Sequence, residues 1–299
     1  GTLTVNNIAN GGTLTLTGDR AGDGVTLVNA LFGAAAATTD VINVAMGAIA
    51  GFDGGTVTAA NVETINLTAL DLYTTASAHT LALVADKATA VNITGNAGVN
   101  LTLTGSTKIA TLDASASTGA VTATSVSTAA ITMTGGSAAD SLTANGTTAS
   151  TLIGGAGADT LTTNLGLTTL TGGDGNDLFV IGGASANGGI YTTISDATAG
   201  DRIQLFDVAG GTEVWNSTAI ALASTASFSD YLNAASAGDG SASAQISWFA
   251  FGGNTYIVED ASNSTAFVAG TDAVVALTGV VDLSAASLNG AAAPILMIG

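Results

Sequence analysis

Short runs in which aliphatic residues alternate with threonine or asparagine mark the first part of this 299-residue chain. They read LTLTG from Leu14, VINV from Val41, TINLT from Thr64, VNITG from Val91 and LTLTG from Leu101. A period of two is the pattern of a β-strand that has one buried and one exposed face. Because turn residues such as Gly, Asn and Asp separate the runs, the sequence predicts many short strands.

Two architectures accommodate many short strands, a stacked solenoid and a β-sandwich. The small side chains that dominate this part (Ala, Thr, Ser and Gly) favour the solenoid. They fit a thin core between two sheets whose coils stack about 4.7–4.9 Å apart. Threonines on the outer face would then pair along the stack. An immunoglobulin-like, Thr-rich sandwich stays open as the alternative for roughly the first hundred residues.

A glycine-rich nonapeptide repeat, G-G-x-G-x-D-x-U-x with U apolar, stands in the middle of the chain. Clean copies begin at Gly154 and, eighteen residues later, at Gly172. A third copy begins at Gly135 and has Ala138 in place of the third glycine. Degenerate copies lie between them, so the three better copies are expected to stack along one edge of the coil. Their eighth residues, which we expect in the core, are Leu142, Leu161 and Phe179.

The repeat has the residue types of a calcium-binding turn. Glycines at positions one, two and four allow a tight turn with positive φ and inward carbonyls, and the Asp at position six adds a carboxylate. Two stacked turns form an all-oxygen cage, which suits Ca²⁺, with roughly 6–8 oxygen ligands, better than Mg²⁺ or Zn²⁺. One ion is expected between the first two turns, at Asp140 and Asp159. A second is expected between the last two turns, at Asp159, Asp174 and Asp177.

The full set of residues predicted to form these sites comprises the turn glycines, their neighbours and the carboxylates. They are Gly135, Ser137, Asp140, Gly154, Gly155, Ala156, Gly157, Asp159, Gly172, Gly173, Asp174, Gly175, Asn176 and Asp177. Ala138 weakens the first site, because a residue with a Cβ must make the turn. Glycine-rich turns that bind nothing are the alternative.

These nonapeptides resemble those of the RTX (repeats-in-toxin) proteins of Gram-negative bacteria, whose repeats form a parallel β-roll. The segment ISDATAGDRIQL from Ile194 is similar to the one that follows the last repeat in that family. GNTYIV from Gly253 and GTDAVVALTGV from Gly270 resemble its terminal hairpins. The resemblance covers residues 135–299 and implies calcium binding, a last ion at Asp196 and Asp201, and an uncleaved C-terminal signal for type I secretion.

The Thr/Ala-rich first part, with NVETINLT from Asn61 and LDASAS from Leu112, resembles the body of Caulobacter-type surface-layer (S-layer) proteins. The part after Val180 gains aromatic residues, and we interpret it as a β cap, since an open sheet edge invites aggregation. The predicted fold is all-β, a calcium-binding parallel β-roll or β-solenoid with a C-terminal β cap. The predicted domains are the solenoid body at 1–134, the nonapeptide roll at 135–180, and the cap with its secretion signal at 181–299.

The amino-acid composition excludes several classes of function. The chain has four Lys and Arg residues against 22 Asp and Glu, which gives a net charge of −18. It has too few cations to form a nucleic-acid-binding surface, and an anionic membrane would repel it. Cysteine is absent and His79, expected at the surface, is the single histidine. Disulfides, a Ser-His-Asp triad and a histidine zinc site are therefore not expected, and we predict no enzyme and no catalytic residues. No apolar run is long enough to cross a bilayer.

Several polar residues outside the repeat allow two interpretations. Asp19 and Asp23 form either another calcium turn or a solvated loop, and Asp113 is either a ligand or a turn former. Asp40 and Glu63 each precede a strand, where an exposed charge is a simpler interpretation than a calcium ligand. A structural side-chain ladder is expected at three asparagines, Asn92, Asn96 and Asn100.

Two functions compete. The first is a structural protein, exported by type I secretion, that assembles with calcium into an S-layer on the bacterial cell surface. Its partners would be other copies of itself and cell-surface polysaccharide or lipopolysaccharide. The second is the calcium-dependent C-terminal folding and secretion module of a larger RTX adhesin or exoenzyme. The missing catalytic residues and the first 134 residues, which a secretion module does not need, favour the first.

Overall fold

The fold is almost entirely β. The computed structural model describes residues 2–6, 8–18, 22–28, 39–72, 77–145, 149–163, 167–183, 188–205, 213–237, 245–262, 264–289 and 295–299. The chain forms two compact units: unit 1 comprises residues 1–146 and 151–159, and unit 2 comprises 147–150 and 160–299. The division by sequence at residues 134 and 180 stays a prediction.

Unit 1 is built from short strands that alternate between two sheets. The strands described are β1 Thr2–Asn6, β2 Thr13–Leu16, β3 Gly24–Val28, β4 Val41–Ala48, β5 Asp53–Ala59, β6 Thr64–Asp71, β7 Ala78–Val84, β8 Ala90–Gly95, β9 Gly98–Thr102, β10 Thr111–Ser117, β11 Val121–Ser125, β12 Thr132–Thr134, β13 Ser141–Ala144 and β14 Thr151–Ala156. Odd-numbered strands form one sheet, here called the odd sheet, and even-numbered strands form the even sheet.

Every strand pair described in unit 1 is parallel, so each coil of two strands stacks on the coil before it. The predicted parallel β-solenoid is therefore confirmed, and the structure shows about seven turns. The immunoglobulin-like alternative is excluded, because its sheets are antiparallel.

Apolar side chains stack in columns between the two sheets of unit 1. One column of the even sheet runs through six coils, and each of its members is fully buried. Its members are Ile42, Ile65, Val91, Leu112, Met133 and Leu152. Burying each such side chain contributes about 1.5–3 kcal/mol. The inward positions of the alternating pattern thus supply the stability, and Thr, Asn, Ser and Ala occupy the outward positions.

An asparagine ladder runs along the outer face of the even sheet. The Nδ2 of Asn66 donates to the Oδ1 of Asn43, and the Nδ2 of Asn92 donates to the Oδ1 of Asn66, each at 2.9 Å. The predicted ladder therefore exists with different members: Asn92 belongs to it, whereas Asn96 bonds at a turn and Asn100 is exposed on the odd sheet. Its members are 23 and 26 residues apart, one coil each.

Two residues expected at the surface are buried. His79, on β7, is fully buried, with its ring centroid 4.5 Å from that of Phe52 and its Nε2 3.1 Å from the carbonyl oxygen of Leu70. Asp40 is 6% exposed, and its backbone N–H donates to the Glu63 carboxylate at 3.1 Å. The surface prediction was wrong for both. The inward register of β7 places the histidine in the core, and stacking of the next coil covers the aspartate.

Gly95, at the end of β8, is a point where two coils approach too closely for a side chain. Its φ is +117°, and an added Cβ would collide with the carbonyl oxygen of Ala69 on the preceding coil. We expect Gly95→Ala to lower the free energy of unfolding by about 1–3 kcal/mol in urea titrations followed by circular dichroism.

Gly105→Ala is the matched control for that substitution. Gly105 also has a positive φ, +77°, but the nearest atom to an added Cβ is the Cγ1 of Val84 at 3.5 Å. Gly105→Ala should lower the free energy of unfolding by less than Gly95→Ala does, because only its backbone conformation is strained. Equal losses for the two variants would contradict the close-approach explanation.

Unit 2 begins with parallel strands and ends with antiparallel ones. Its described elements are β15 Thr160–Thr163, β16 Thr169–Asp174, β17 Leu178–Ile181, β18 Thr192–Ile194, β19 Arg202–Gln204, β20 Val214–Trp215, α1 Phe228–Ala235, β21 Gln245–Phe251, β22 Asn254–Asp260, β23 Ala273–Leu277, β24 Ser287–Asn289 and β25 Ile295–Met297. Strands β15, β17 and β19 stack in parallel, as do β16, β18 and β23. Strands β21 to β23 pair antiparallel, and so do β19, β25 and β24.

An aromatic core supports the antiparallel part of unit 2. Helix α1 begins at a capping box formed by Ser227 and Asp230, and it packs against β21 and β22. Rings of Tyr231 and Phe249 stack with centroids 4.9 Å apart, and Phe249 stacks on Tyr256 at 5.4 Å. The gain of aromatic residues in the sequence thus coincides with a change from parallel to antiparallel strand pairing. That this part of the chain caps the solenoid stays a prediction. In the described part of the chain, no helix is long and apolar enough to cross a membrane.

Candidate metal centre

Along the chain, the three nonapeptide turns begin at or just after the ends of β12, β14 and β16 and precede β13, β15 and β17. Two of them, 135–140 and 154–159, lie in unit 1, and the third, 172–177, lies in unit 2. Their sixth-position carboxylates, Asp140, Asp159 and Asp177, are at most 3% exposed. The eighth residues are fully buried, as the repeat predicts: Leu142, Leu161 and Phe179. Buried acids at regular positions require compensation by donors or cations.

Glycines serve these turns in two different ways. Positive φ, from +96° to +139°, occurs at the second and fourth positions of the clean copies, at Gly155, Gly157, Gly173 and Gly175. The first-position glycines are needed for space instead. An added Cβ on Gly135 would collide with the Asp140 carboxylate, and one on Gly172 would collide with the Asp177 carboxylate. The first and third turns are therefore cradles, each of which closes around its own aspartate.

In unit 1, the Asp140 carboxylate binds backbone N–H groups. Its Oδ1 accepts from Val121 at 2.6 Å, and its Oδ2 accepts from Gly136 at 2.5 Å. The N–H of Asp140 in turn donates to the Oδ1 of Asp159 at 2.7 Å. Carboxylates of successive coils are thus linked through the backbone, by bonds that are strong because the acceptor is charged.

Burial raises the pKa of Asp140, although the N–H groups of Val121 and Gly136 act in the opposite direction. Desolvation disfavours the ionised form of a carboxyl group, and the two amides compensate only in part. A cation bound to the ionised form of Asp140 would offset this desolvation and add stability.

Unit 2 repeats this arrangement with the residues that the family resemblance indicates. The N–H of Asp177 donates to the Oδ1 of Asp201 at 2.9 Å. The two oxygens of Asp196 accept from the N–H groups of Gly172 and Gly173 at 2.9 and 2.8 Å. Asp196 and Asp201 therefore contact the third nonapeptide turn. Asp201 lies 24 residues after Asp177, the last aspartate of the repeat.

The donor set fits calcium by its chemistry. Within the described residues, no three or more Asp, Glu or His side chains form a group that could hold a metal ion. What the turns offer is pairs of carboxylates one coil apart, and carboxylate oxygens are ligands that Ca²⁺ accepts. In unit 1, Asp140 and Asp159 would hold such an ion. The amides that bind these carboxylates would compete with it for the same oxygen atoms.

The remaining predicted ligands have different surroundings. Asp174, Gly175 and Asn176 are exposed, and Ser137 is exposed at the first turn. The second predicted ion, at Asp159, Asp174 and Asp177, stays a prediction.

Asp113 lies within strand β10 and not at a turn, so its interpretation as a turn former is wrong. Its Oδ1 accepts from the N–H of Ser115 at 2.9 Å, where the register of β10 shifts. The Ser115 hydroxyl and N–H lower the pKa of Asp113. Asp19 lies outside the described residues, and Asp23 lines a shallow cavity of 330 Å³ in unit 1 together with Asp53.

Asp71 is a buried carboxylate that the sequence interpretation missed. It is 8% exposed, and its Oδ2 accepts from the N–H and the hydroxyl of Ser77 at 3.1 and 2.9 Å. Its N–H donates to the Oδ1 of Asn96 at 2.9 Å. The signal was present, because Asp71 continues the inward positions of β6 after Leu67 and Ala69.

Fold and turns together define a class by architecture, a parallel β-solenoid whose turns carry buried carboxylates. Comparison with protein-family models found no match for this chain, and a search of the curated proteins found none either. The function is accordingly argued from the residues themselves.

Proposed function

We propose that this chain is a calcium-binding structural protein that is exported by type I secretion and self-assembles into an S-layer on a bacterial cell surface. The observation that carries the proposal is the stacked pair Asp140 and Asp159, both buried and one coil apart, with the N–H of Asp140 donating to the Asp159 carboxylate. The raised pKa of Asp140 supports a cation at this position, since a cation stabilises the ionised form.

The charge and its distribution support assembly with divalent ions. A chain of net charge −18 repels its copies, and its four cations offer few attractive partners. Calcium both neutralises carboxylates and bridges ligands from different loops. In unit 1 the acids outside the nonapeptides are spread along the stack: Asp23, Asp40, Asp53, Glu63, Asp71, Asp86 and Asp113. Asp40 and Asp71 are buried, but the other five are at least partly exposed, and their distribution suits repeated contacts better than a single active site, so we propose no catalytic role.

The second candidate is the calcium-dependent folding and secretion module of a larger RTX adhesin or exoenzyme. The contact of Asp196 and Asp201 with the third nonapeptide turn favours it, since these residues belong to the segment that resembles the family's sequence after the last repeat. This module would bind calcium within one molecule and remain monomeric.

Light scattering and negative-stain microscopy of the purified chain distinguish the two. We expect sheets or filaments at about 1 mM Ca²⁺, the range of extracellular calcium sites, and dispersed molecules in EGTA. Magnesium at the same concentration is the control, because it demands octahedral geometry and keeps its waters. A persistent monomer in calcium would leave the secretion module, and equal assembly with magnesium would argue against specific calcium sites.

A further inference from the structure

One oxygen of the stacked aspartates links neighbouring coils in the same way each time. The Oδ1 of Asp140 accepts from the N–H of Val121 at 2.6 Å, and the Oδ1 of Asp159 accepts from the N–H of Asp140 at 2.7 Å. In unit 2, the Oδ1 of Asp201 accepts from the N–H of Asp177 at 2.9 Å. Donor and acceptor are 19 or 24 residues apart, so each bond joins one coil to the next. The second oxygen, Oδ2, is where the turns can differ.

The first turn, residues 135–140, binds the second oxygen of its aspartate with its own backbone. The Oδ2 of Asp140 accepts from the N–H of Gly136 at 2.5 Å. In the third turn the corresponding N–H, that of Gly173, donates at 2.8 Å to Asp196, which lies 23 residues downstream. A carboxylate oxygen that already accepts a short, charge-assisted bond is a poorer ligand for a cation, because the cation must displace the donor. The backbone of the first turn thus opposes calcium at Asp140.

Backbone conformation separates the first turn from the two clean copies. In the clean copies the glycines at positions two and four all have positive φ, from +96° to +139°. In the first turn the residues at these positions are Gly136 and Ala138, and neither has a positive φ. Ala138 stands where the repeat has its third glycine, and positive φ is unfavourable for a residue with a Cβ. One side chain therefore accounts for the different backbone of this turn.

We propose that the first turn is a two-state calcium switch, and that Ala138 favours its metal-free state. In that state the Gly136 amide holds the Oδ2 of Asp140. In the other state the turn takes the backbone of the clean copies, and Oδ2 is open to the ion. The inference rests on the proposed calcium binding and adds the residue that sets the affinity of the first turn. Because calcium must pay for this change of state, the first turn responds at higher calcium concentration than the clean turns.

Ala138→Gly tests the switch by removing the Cβ that opposes positive φ. The amide resonance of Gly136 in the nuclear magnetic resonance spectrum reports the bond to Asp140, and its chemical shift changes when that bond is lost. In a calcium titration that starts from the calcium-free chain, the half-saturating calcium concentration at Gly136 should fall by about five- to thirtyfold in the variant. The reason is that glycine adopts positive φ without the penalty that alanine incurs.

Ala139→Gly is the matched control. Ala139 is the exposed neighbour of Ala138, at a position where the repeat does not require glycine. This variant adds the same freedom to the unfolded chain, so its half-saturating calcium concentration at Gly136 should stay within about twofold of the wild-type value. Circular dichroism in EGTA checks that both variants are folded. Ala138→Asn replaces Ala138→Gly if the latter does not fold, because asparagine also adopts positive φ.

The outcomes separate the switch from calcium binding itself. If calcium changes the amide resonances of the clean turns but leaves that of Gly136 unchanged, in the wild type and in Ala138→Gly, the first turn is not a switch and the proposed calcium binding stands. Equal effects of Ala138→Gly and Ala139→Gly would also overturn the inference, since position four would not be decisive. If calcium changes no amide resonance of the three turns, the proposed calcium binding fails, and the switch fails with it.

Discussion

Asp140→Ala is expected to lower the stability of the calcium-free chain by about 2–6 kcal/mol. The substitution leaves two buried N–H groups, those of Val121 and Gly136, without their acceptor. An unsatisfied buried donor costs about 1–3 kcal/mol. Because a native domain is stable by only about 5–15 kcal/mol, this loss is a large part of the total.

Urea titration in EGTA, followed by far-UV circular dichroism, measures this effect without metal. Asp86→Ala is the control in the same unit: Asp86 is exposed, and its carboxylate accepts from Asn61 at 3.3 Å and lies 3.6 Å from Lys87. Asp86→Ala should lower the free energy of unfolding by less than about 1 kcal/mol, as for other exposed charges. A calcium-free Asp140→Ala chain as stable as Asp86→Ala would show that the carboxylate does not link the coils.

Calcium is expected to raise the thermal midpoint of the chain by roughly 5–10 °C. At about 1 mM Ca²⁺ and a Kd of about 10⁻⁴ M, each site contributes on the order of 1.4 kcal/mol. Two sites then give a shift of that size for units of this length, at about 2–4 °C per kcal/mol. Differential scanning calorimetry in calcium, in EGTA and in magnesium measures the shift, and equal midpoints in all three would contradict calcium sites in the turns.

The calcium effect should depend on pH in a defined direction. Burial raises the pKa of Asp140 in the folded chain, so the protonated group stabilises the metal-free fold at low pH, and this contribution is lost as the pH rises through that pKa. Calcium binds the ionised carboxylate, and this form predominates above the pKa of Asp140. The gain from calcium should therefore grow as the pH rises through that pKa and shrink as the solution is acidified. Calorimetry that gives the same gain across this range would exclude Asp140 as a ligand.

The spacing of the nonapeptides predicted only part of the candidate site. The nonapeptide pattern located the cradles, the buried sixth-position aspartates and the buried eighth residues. It did not reveal that the backbone of neighbouring coils already binds the carboxylates, as Val121 binds Asp140. That contact joins residues 19 positions apart, and no feature of the repeat encodes it.

The sequence by itself determined the short strands and their buried faces, because alternation of Leu, Ile and Val with Thr or Asn specifies which face of each strand is buried. It favoured the solenoid, but the parallel pairing seen in the structure was needed to exclude the sandwich. Only the tertiary structure decided which side chains meet along the stack. Successive coils differ in length, with 23 residues from Asn43 to Asn66 and 26 from Asn66 to Asn92, because the turns absorb the difference. The register between coils therefore cannot be counted from the sequence. It is set by the fit of buried columns, which also places His79 in the core.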